Sequence, residues 1–212
     1  MLTVRTFTFN PLGENTYVLS DATGQAAIID CGALFDDERL ELARYIEEQG
    51  LHPVRHLLTH AHFDHLFGAQ FLADAYDVHP ELCLADAETY RLQPQQLRLF
   101  LHRDLPLEQP EPRGYFADGD TIAFGAHTLR VIHTPGHTPG GVCFHCPEEQ
   151  LLLSGDNLFR GSIGRCDLPG SDPQALPAAL RAKVLTLPPA TRVLPGHGPE
   201  TTVANELGNP YL

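Results

Sequence analysis

The sequence predicts an α/β fold, and two observations carry that prediction. Short apolar runs rich in β-branched residues alternate with longer stretches whose apolar positions recur at helical spacing. Gly, Pro, Asn and Asp punctuate the boundaries, and strands alternating with helices signal layered sheets and helices. With 212 residues the chain is long enough for one sizeable core. We expect a single domain, residues 1–212, built as two αβ halves. A connector is expected near residues 105–114, where Pro106, Pro110 and Pro112 gather.

Val4–Phe9 and Tyr17–Leu19 read as strands joined through the turn residues Asn10-Pro11-Leu12-Gly13. Ala26–Asp30 is a third strand, closing on Cys31-Gly32. Asp36–Gln49 reads as a helix: acids fill its first turn, Leu40, Leu42, Ala43 and Ile46 are its apolar positions, and Gly50 stops it. Val54–Leu58 is a buried strand, followed by a helix over Leu66–Tyr76. Glu81–Leu105 reads as mostly helical, broken at Pro94. In the second half, Thr121–Phe124 and Thr128–His133 flank Gly125-Ala126-His127 as a hairpin, and Val142–His145 and Leu151–Ser154 follow as strands. Ser171 or Asp172 caps a helix running from Pro173 to about Leu185. Val193–Leu194 is the last strand.

Composition removes several function classes. No apolar run approaches the roughly 20 residues of a membrane span. The opening MLTVRTFTFN alternates like a strand and lacks the pattern of a signal segment, so no membrane partner is expected. A formal net charge of −13, with the basic residues scattered, repels nucleic acid. The odd count of five cysteines points to reduced thiols and a cytoplasmic location. Cys143 and Cys146 form a C-x-x-C, but no second pair accompanies them and their surroundings read as strand.

The chemistry gathers at strand ends. Val54–Leu58 delivers Thr59-His60-Ala61-His62-Phe63-Asp64-His65. Strand 128–133 delivers His137, strand 151–154 delivers Asp156, and strand 193–194 delivers His197. Glycines sit beside each of the last three, where they let the backbone turn and approach a ligand. His60, His62, His65, His137 and His197 offer neutral nitrogens, and Asp64 and Asp156 offer carboxylates. If one carboxylate bridges, these side chains give each of two divalent ions four protein bonds. Nitrogen and oxygen donors without thiolate suit zinc, iron or manganese. A closed structural zinc needs only four ligands, so this set exceeds that requirement. Two dications against two carboxylates leave a positive centre that favours a bound hydroxide at neutral pH. The other histidines, His52, His56, His79, His102, His127, His133 and His145, share no such pattern and read as surface or core.

The run Thr59 to His65, with Gly136-His137-Thr138, Gly155-Asp156 and Gly196-His197-Gly198 in that order, resembles the metallo-β-lactamase superfamily. That resemblance implies a four-layer αββα sandwich with the metals at the edge where strand ends meet. It also implies the division of ligands: His60, His62 and His137 for the first ion, Asp64, His65 and His197 for the second, with Asp156 bridging. Within the superfamily, Gly155–Asp167 and the ending Pro195–Thr202 with Asn209-Pro210-Tyr211-Leu212 resemble short bacterial glyoxalase II-like proteins. Only fifteen residues follow His197, so the helical glutathione-binding domain of the long enzymes is not expected.

The resemblance implies a thioester hydrolase acting on S-(2-hydroxyacyl)glutathione by metal-hydroxide attack, with Asp64 also holding the nucleophile. A thiol of pKa about 8.5 leaves as thiolate without a dedicated acid. An anionic substrate on an acidic protein calls for local cations. Arg160 and Arg165, just past Asp156, are the candidate contacts, with Tyr17 a weaker one. The alternative from another class is a mononuclear-iron persulfide dioxygenase, which would use the positions of His60, His137 and Asp156.

Overall fold

The computed structural model describes residues 1–102 and 108–212. Strands β1 (Thr3–Phe9), β2 (Glu14–Ser20) and β3 (Gln25–Ile29) form an antiparallel meander. After helix α1 (Asp36–Glu48), β4 (His52–Leu57) adds parallel to β3. Helix α2 (Ala69–Tyr76) leads to β5 (Pro80–Cys83). Helices α3 (Ala87–Arg91) and α4 (Gln93–Leu101) precede β6 (Gly114–Phe116), also parallel. The first sheet is thus six-stranded in sequence order.

The second sheet starts with antiparallel β7 (Thr121–Phe124), β8 (His127–His133), β9 (Val142–Cys146) and β10 (Leu151–Gly155). A small ribbon, β11 (Leu158–Phe159) with β12 (Ser162–Ile163), and helix α5 (Ala175–Ala179) with a wider turn over Leu180–Val184 follow. Strand β13 (Arg192–Pro195) joins parallel to β10, and β14 (Thr201–Thr202) closes the edge before α6 (Val203–Glu206). The order is β14-β13-β10-β9-β8-β7.

Side-chain alternation then builds four layers. Between the sheets, Leu19, Ile29 and Leu57 of the first pack against Val131, Phe144 and Leu153 of the second. The opposite face of the first sheet, with Val18, Ala26 and Ile28, takes Leu42 and Ile46 of α1 and Leu72 of α2. The opposite face of the second, with Cys143, Leu152 and Val193, takes Leu176, Leu180 and Val203. This is the αββα sandwich, a helix layer outside each sheet. Cys143 and Cys146 therefore serve different layers, one facing the helices and one the inter-sheet core, and do not pair.

Several boundaries differ from expectation for identifiable reasons. Strand β2 starts at Glu14 rather than Tyr17, because buried Glu14, Asn15 and Thr16 find partners in neighbouring loops. Helix α2 starts at Ala69 rather than Leu66, because Phe63–His65 first forms a 3-10 turn. The helical reading from Glu81 is corrected: Pro80–Cys83 is strand, and Pro94 sits in the first turn of α4, where its missing N–H is tolerated. The helix predicted from Pro173 starts at Ala175 instead, with Gln174 at its N-cap and no side-chain cap; Asp172, accepting from the Gln174 and Ala175 amides, shapes the turn before it. The ends of the predicted helix 81–105 and connector 105–114 fall partly outside the described residues.

His56 is the costly member of β4. It alternates with core-facing Leu57, is fully buried, and neither ring nitrogen has a hydrogen-bond partner. Burial lowers its pKa to about 3, below the unfolded value near 6.5. The unfolded chain therefore binds more protons, and stability falls as pH drops through this window. Acidification from pH 7 to 5 is expected to remove about 2 kcal/mol through this one group. Urea titrations of His56→Leu should show a correspondingly shallower loss; identical acid slopes in both proteins would refute the assignment.

Candidate metal centre

Four loops meet at one edge of the sandwich. Strand β4 and Leu58 lead to Thr59–His65, β8 leads to His137, β10 ends at Gly155 beside Asp156, and β13 ends at Pro195 beside Gly196-His197. The residues singled out in the sequence are brought together there. His60, His62 and His137 form one cluster, Asp64, His65 and His197 a second, and His60, His65 and Asp156 a third between them. Every potential ligand atom within a cluster lies within 4.8 Å of the others.

Asp156 faces both sides. Its Oδ1 is 3.4 Å from His65 Nε2, while its Oδ2 is 3.7 Å from His137 Nε2 and 3.6 Å from His197 Nε2. Asp64 Oδ2 lies 3.2 Å from His197 Nε2 and 3.9 Å from His65 Nε2. His62 Nδ1 and His137 Nε2 are 3.0 Å apart. A side chain at position 196 would strike Asp156 Oδ1 and come within 2.7 Å of His65 Cε1, so only glycine leaves this space open.

Most imidazoles are oriented from behind, which fixes the nitrogen that points inward. His65 Nδ1 is 2.9 Å from Asp30 Oδ2, His137 Nδ1 is 2.8 Å from the Arg165 carbonyl, and His197 Nδ1 is 3.1 Å from the Leu12 carbonyl. His60 Nδ1 lies 3.1 Å from Thr59 Oγ1, which itself donates to Asp30. Asp30 thus braces two candidate ligands at once and also accepts the Thr59 amide, from a left-handed backbone position. Asp86 ties two ligand loops together. It accepts from the Ala61 amide beside His60, and from Thr138 Oγ1 and the Gly140 amide beyond His137.

The donor set fits divalent cations. His60 Nε2, His65 Nε2 and Asp156 Oδ1 are buried without a hydrogen-bond partner, each orphan costing about 1–3 kcal/mol if nothing satisfies it. Burial, reinforced by neighbouring imidazoles, lowers His60 and His62, the latter to about 3. Both rings are therefore neutral and offer lone pairs. Burial pushes the Asp64 and Asp156 carboxyls up, but the pull of His65, helped by His197, outweighs it and leaves both below the usual range. Burial disfavours charge on His65 too, and Asp30, Asp156 and Asp64 outweigh it and raise its pKa. Without cations that ring keeps a proton whose place a cation would take.

The proposed substrate contacts are spread differently. Arg160 is exposed at the β11–β12 turn and makes no hydrogen bond or ion pair among the described residues. Arg165 is exposed and forks onto Asp167 at 2.7 and 2.9 Å, while its backbone carbonyl holds His137. Tyr17 is buried, with its hydroxyl donating to the Pro195 carbonyl at 2.7 Å. Cys166 is partly buried, its thiol donating weakly to the Gly164 carbonyl. Sequence reading missed Asp30, Asp86, Asn15 and Glu14. Asn15 secures the β13 loop through the Pro195 and Gly198 carbonyls, and Glu14 accepts the Gly32 amide. Only Asp30 carried a signal, the same strand-end position before a glycine-containing turn.

Comparisons with known proteins agree with this geometry. The family model described as "Metallo-beta-lactamase superfamily" matches residues 9–197. The chain is 32% identical over 203 residues to hydroxyacylglutathione hydrolase GloC of Haemophilus influenzae, spanning 94% of this chain and 92% of that protein. It superposes on the crystal structure of TTHA1623 in a di-iron-bound form with a TM-score of 0.86, 41% identity, and coverage of 99% and 100%. It also superposes on the BLEG-1 B3 metallo-beta-lactamase with a TM-score of 0.89, 34% identity, and 99% of each chain.

The bracing role of Asp30 has a measurable consequence. Asp30→Asn should weaken metal affinity roughly 10- to 100-fold, as is typical when a residue orienting a ligand is lost. Competition with a chromophoric chelator measures it, with the exposed Asp37→Asn as control. Equal affinities for the two variants would show that Asp30 does not orient the ligands.

Proposed function

The chain belongs to the metallo-β-lactamase superfamily of metallo-hydrolases, and on that premise we propose that it hydrolyses thioesters of the hydroxyacylglutathione type at a binuclear metal centre. The observation that carries the reading is Asp156, whose carboxylate lies between the two nitrogen clusters: Oδ2 is near His137 of one and His197 of the other, and Oδ1 is near His65. In this reading His60, His62 and His137 hold one ion, Asp64, His65 and His197 hold the other, and Asp156 joins them. Zinc, iron and manganese all suit these donors. The di-iron form of TTHA1623 supports a two-metal occupancy. Bound divalent ions supply Lewis acidity and a nucleophilic hydroxide at neutral pH.

The chain's own residues do the rest. Asp64 reaches His197 with Oδ2, and its carboxylate is the group that orients the attacking water. The thiol needs no separate proton donor, since about 8.5 is low enough for departure as thiolate. The name of the Haemophilus relative supports a glutathione-linked substrate. Arg160, whose guanidinium is unengaged among the described residues, is the better candidate for an anionic contact; Arg165 would first have to leave Asp167. Tyr17, its hydroxyl already engaged by Pro195, would act by holding the His197 loop. Five unbridged cysteines support a reducing, cytoplasmic setting. No helix among the described residues is long and apolar enough to cross a membrane.

Metal analysis with parallel activity assays tests the proposal. Two metals per chain with hydrolysis of S-lactoylglutathione supports it. One iron per chain with oxygen uptake on glutathione persulfide would replace it with a dioxygenase. Arg160→Ala should raise KM roughly fivefold, the worth of about 1 kcal/mol for an exposed charged contact, with kcat unchanged. An unaltered KM removes Arg160 as a substrate contact.

A further inference from the structure

A cavity of about 440 Å³ opens beside the metal centre, within the roughly 300–1,000 Å³ range of small-molecule sites. Among the described residues its walls are Leu12, Leu34, Phe35, Phe63, Phe67 and Leu101, with Pro11 at the turn, all apolar. It is joined to the centre through the chain itself. Phe63 lies between the ligands His62 and Asp64, and the Leu12 carbonyl holds His197 Nδ1. Phe63 and Phe67 meet edge to face at 5.6 Å, and Phe100 stacks on Phe63 at 5.5 Å, giving the cavity a fixed aromatic wall.

Two further observations say what the cavity takes. Leu12 is 48% exposed and Phe35 is 50% exposed, so large apolar side chains line its mouth at a cost in hydration. Among the described residues, the walls carry no charge or side-chain hydrogen-bonding group, whereas a peptide-like thiol such as glutathione presents carboxylates and amides. Burying those here would leave them unpaired. The acyl group of a thioester is the part of the substrate that is free to be apolar.

We propose that this cavity is an acyl pocket, and that the protein prefers thioesters whose acyl group is a straight alkyl chain of several carbons over a small hydroxyacyl group. The substrate carbonyl then sits at the ligand cluster, the alkyl chain lies along Leu12, Phe35 and Phe63, and the thiol portion points to solvent. This rests on the thioesterase reading for the identity of the scissile bond, but not for the pocket.

Two measurements separate them. In the first, straight-chain alkanoates from acetate to decanoate displace a fluorescent apolar probe from the metal-loaded protein. Affinity should rise about three- to fourfold per added methylene until the cavity is full, the worth of one buried CH2. The exposed substitutions Leu12→Ser and Phe35→Ser should flatten that slope, and Leu207→Ser, an exposed leucine outside the pocket lining, should not. In the second, thioesters of one thiol with the same acyl series are assayed, and kcat/KM should climb with chain length in parallel. Chain-dependent binding without turnover keeps the pocket and removes the thioesterase reading. Turnover with a flat series, or a slope indifferent to Leu12→Ser and Phe35→Ser, overturns the acyl pocket and leaves the hydrolase in place.

Discussion

The structure turns on ligand atoms that are buried and unsatisfied at a single edge. His60 Nε2, His65 Nε2 and Asp156 Oδ1 are buried and have no protein hydrogen-bond partner. Each such atom carries a desolvation penalty, as the two ring nitrogens of His56 also do. At this edge, unlike at His56, the orphans converge on one another, and bound cations would satisfy them together. The two sheets converge so that β4, β8, β10 and β13 all release their chains toward this edge. The inter-sheet core around Leu57, Phe144 and Leu153 holds those strand ends in register, and so carries the folding energy that the polar edge lacks.

The clustering of these histidines and aspartates was legible because its signals are local. A buried strand is read from its apolar run, and a histidine or aspartate directly after it, beside glycine, stands out. The bracing residues are not local in this sense. Asp86 joins loops that are 25 and more than 50 positions away in sequence. Asn15 reaches across 180 positions to Pro195. Nothing in the composition around either residue announces such contacts. The same holds for the fold. Helix α1 was readable from its acids, its apolar face and Gly50. Strand β5 was not, since four residues beginning with proline gain strand character only from pairing with β4 and β6.

Charge follows the same division between local and global. The chain as a whole carries −13, which repels anions at a distance. Two dications against Asp64 and Asp156, as proposed, would invert that sign locally. In the proposed reading an oxyanion would be stabilised within this cluster, where His60 and His62 are neutral and add no further charge. The surroundings of the centre, from the Leu12 turn to Phe63, are apolar rather than cationic. In the proposed reading, recognition on that side would depend on shape and dewetting, and attraction between charges would be left to the metals and to Arg160.

The way the ligands are braced explains how such a centre can serve different substrates. His197 is oriented by the carbonyl of Leu12 and His137 by the carbonyl of Arg165. Both contacts are made by backbone, so the side chains at positions 12 and 165 can change without turning either imidazole. Those side chains are free to differ in surroundings: Leu12 lines the apolar cavity, and Arg165 is exposed on the loop beyond Asp156, paired with Asp167. Metal geometry is thus tied to the course of the chain, and specificity to what hangs from it. Relatives as similar as GloC and the BLEG-1 β-lactamase bear names for different substrates while sharing the fold, which is the outcome that separation permits. Asp30 and Asp86 stand on the other side of the division, because there the side chain itself is the brace, and substitution at either must disturb the centre before it can alter what the centre acts on.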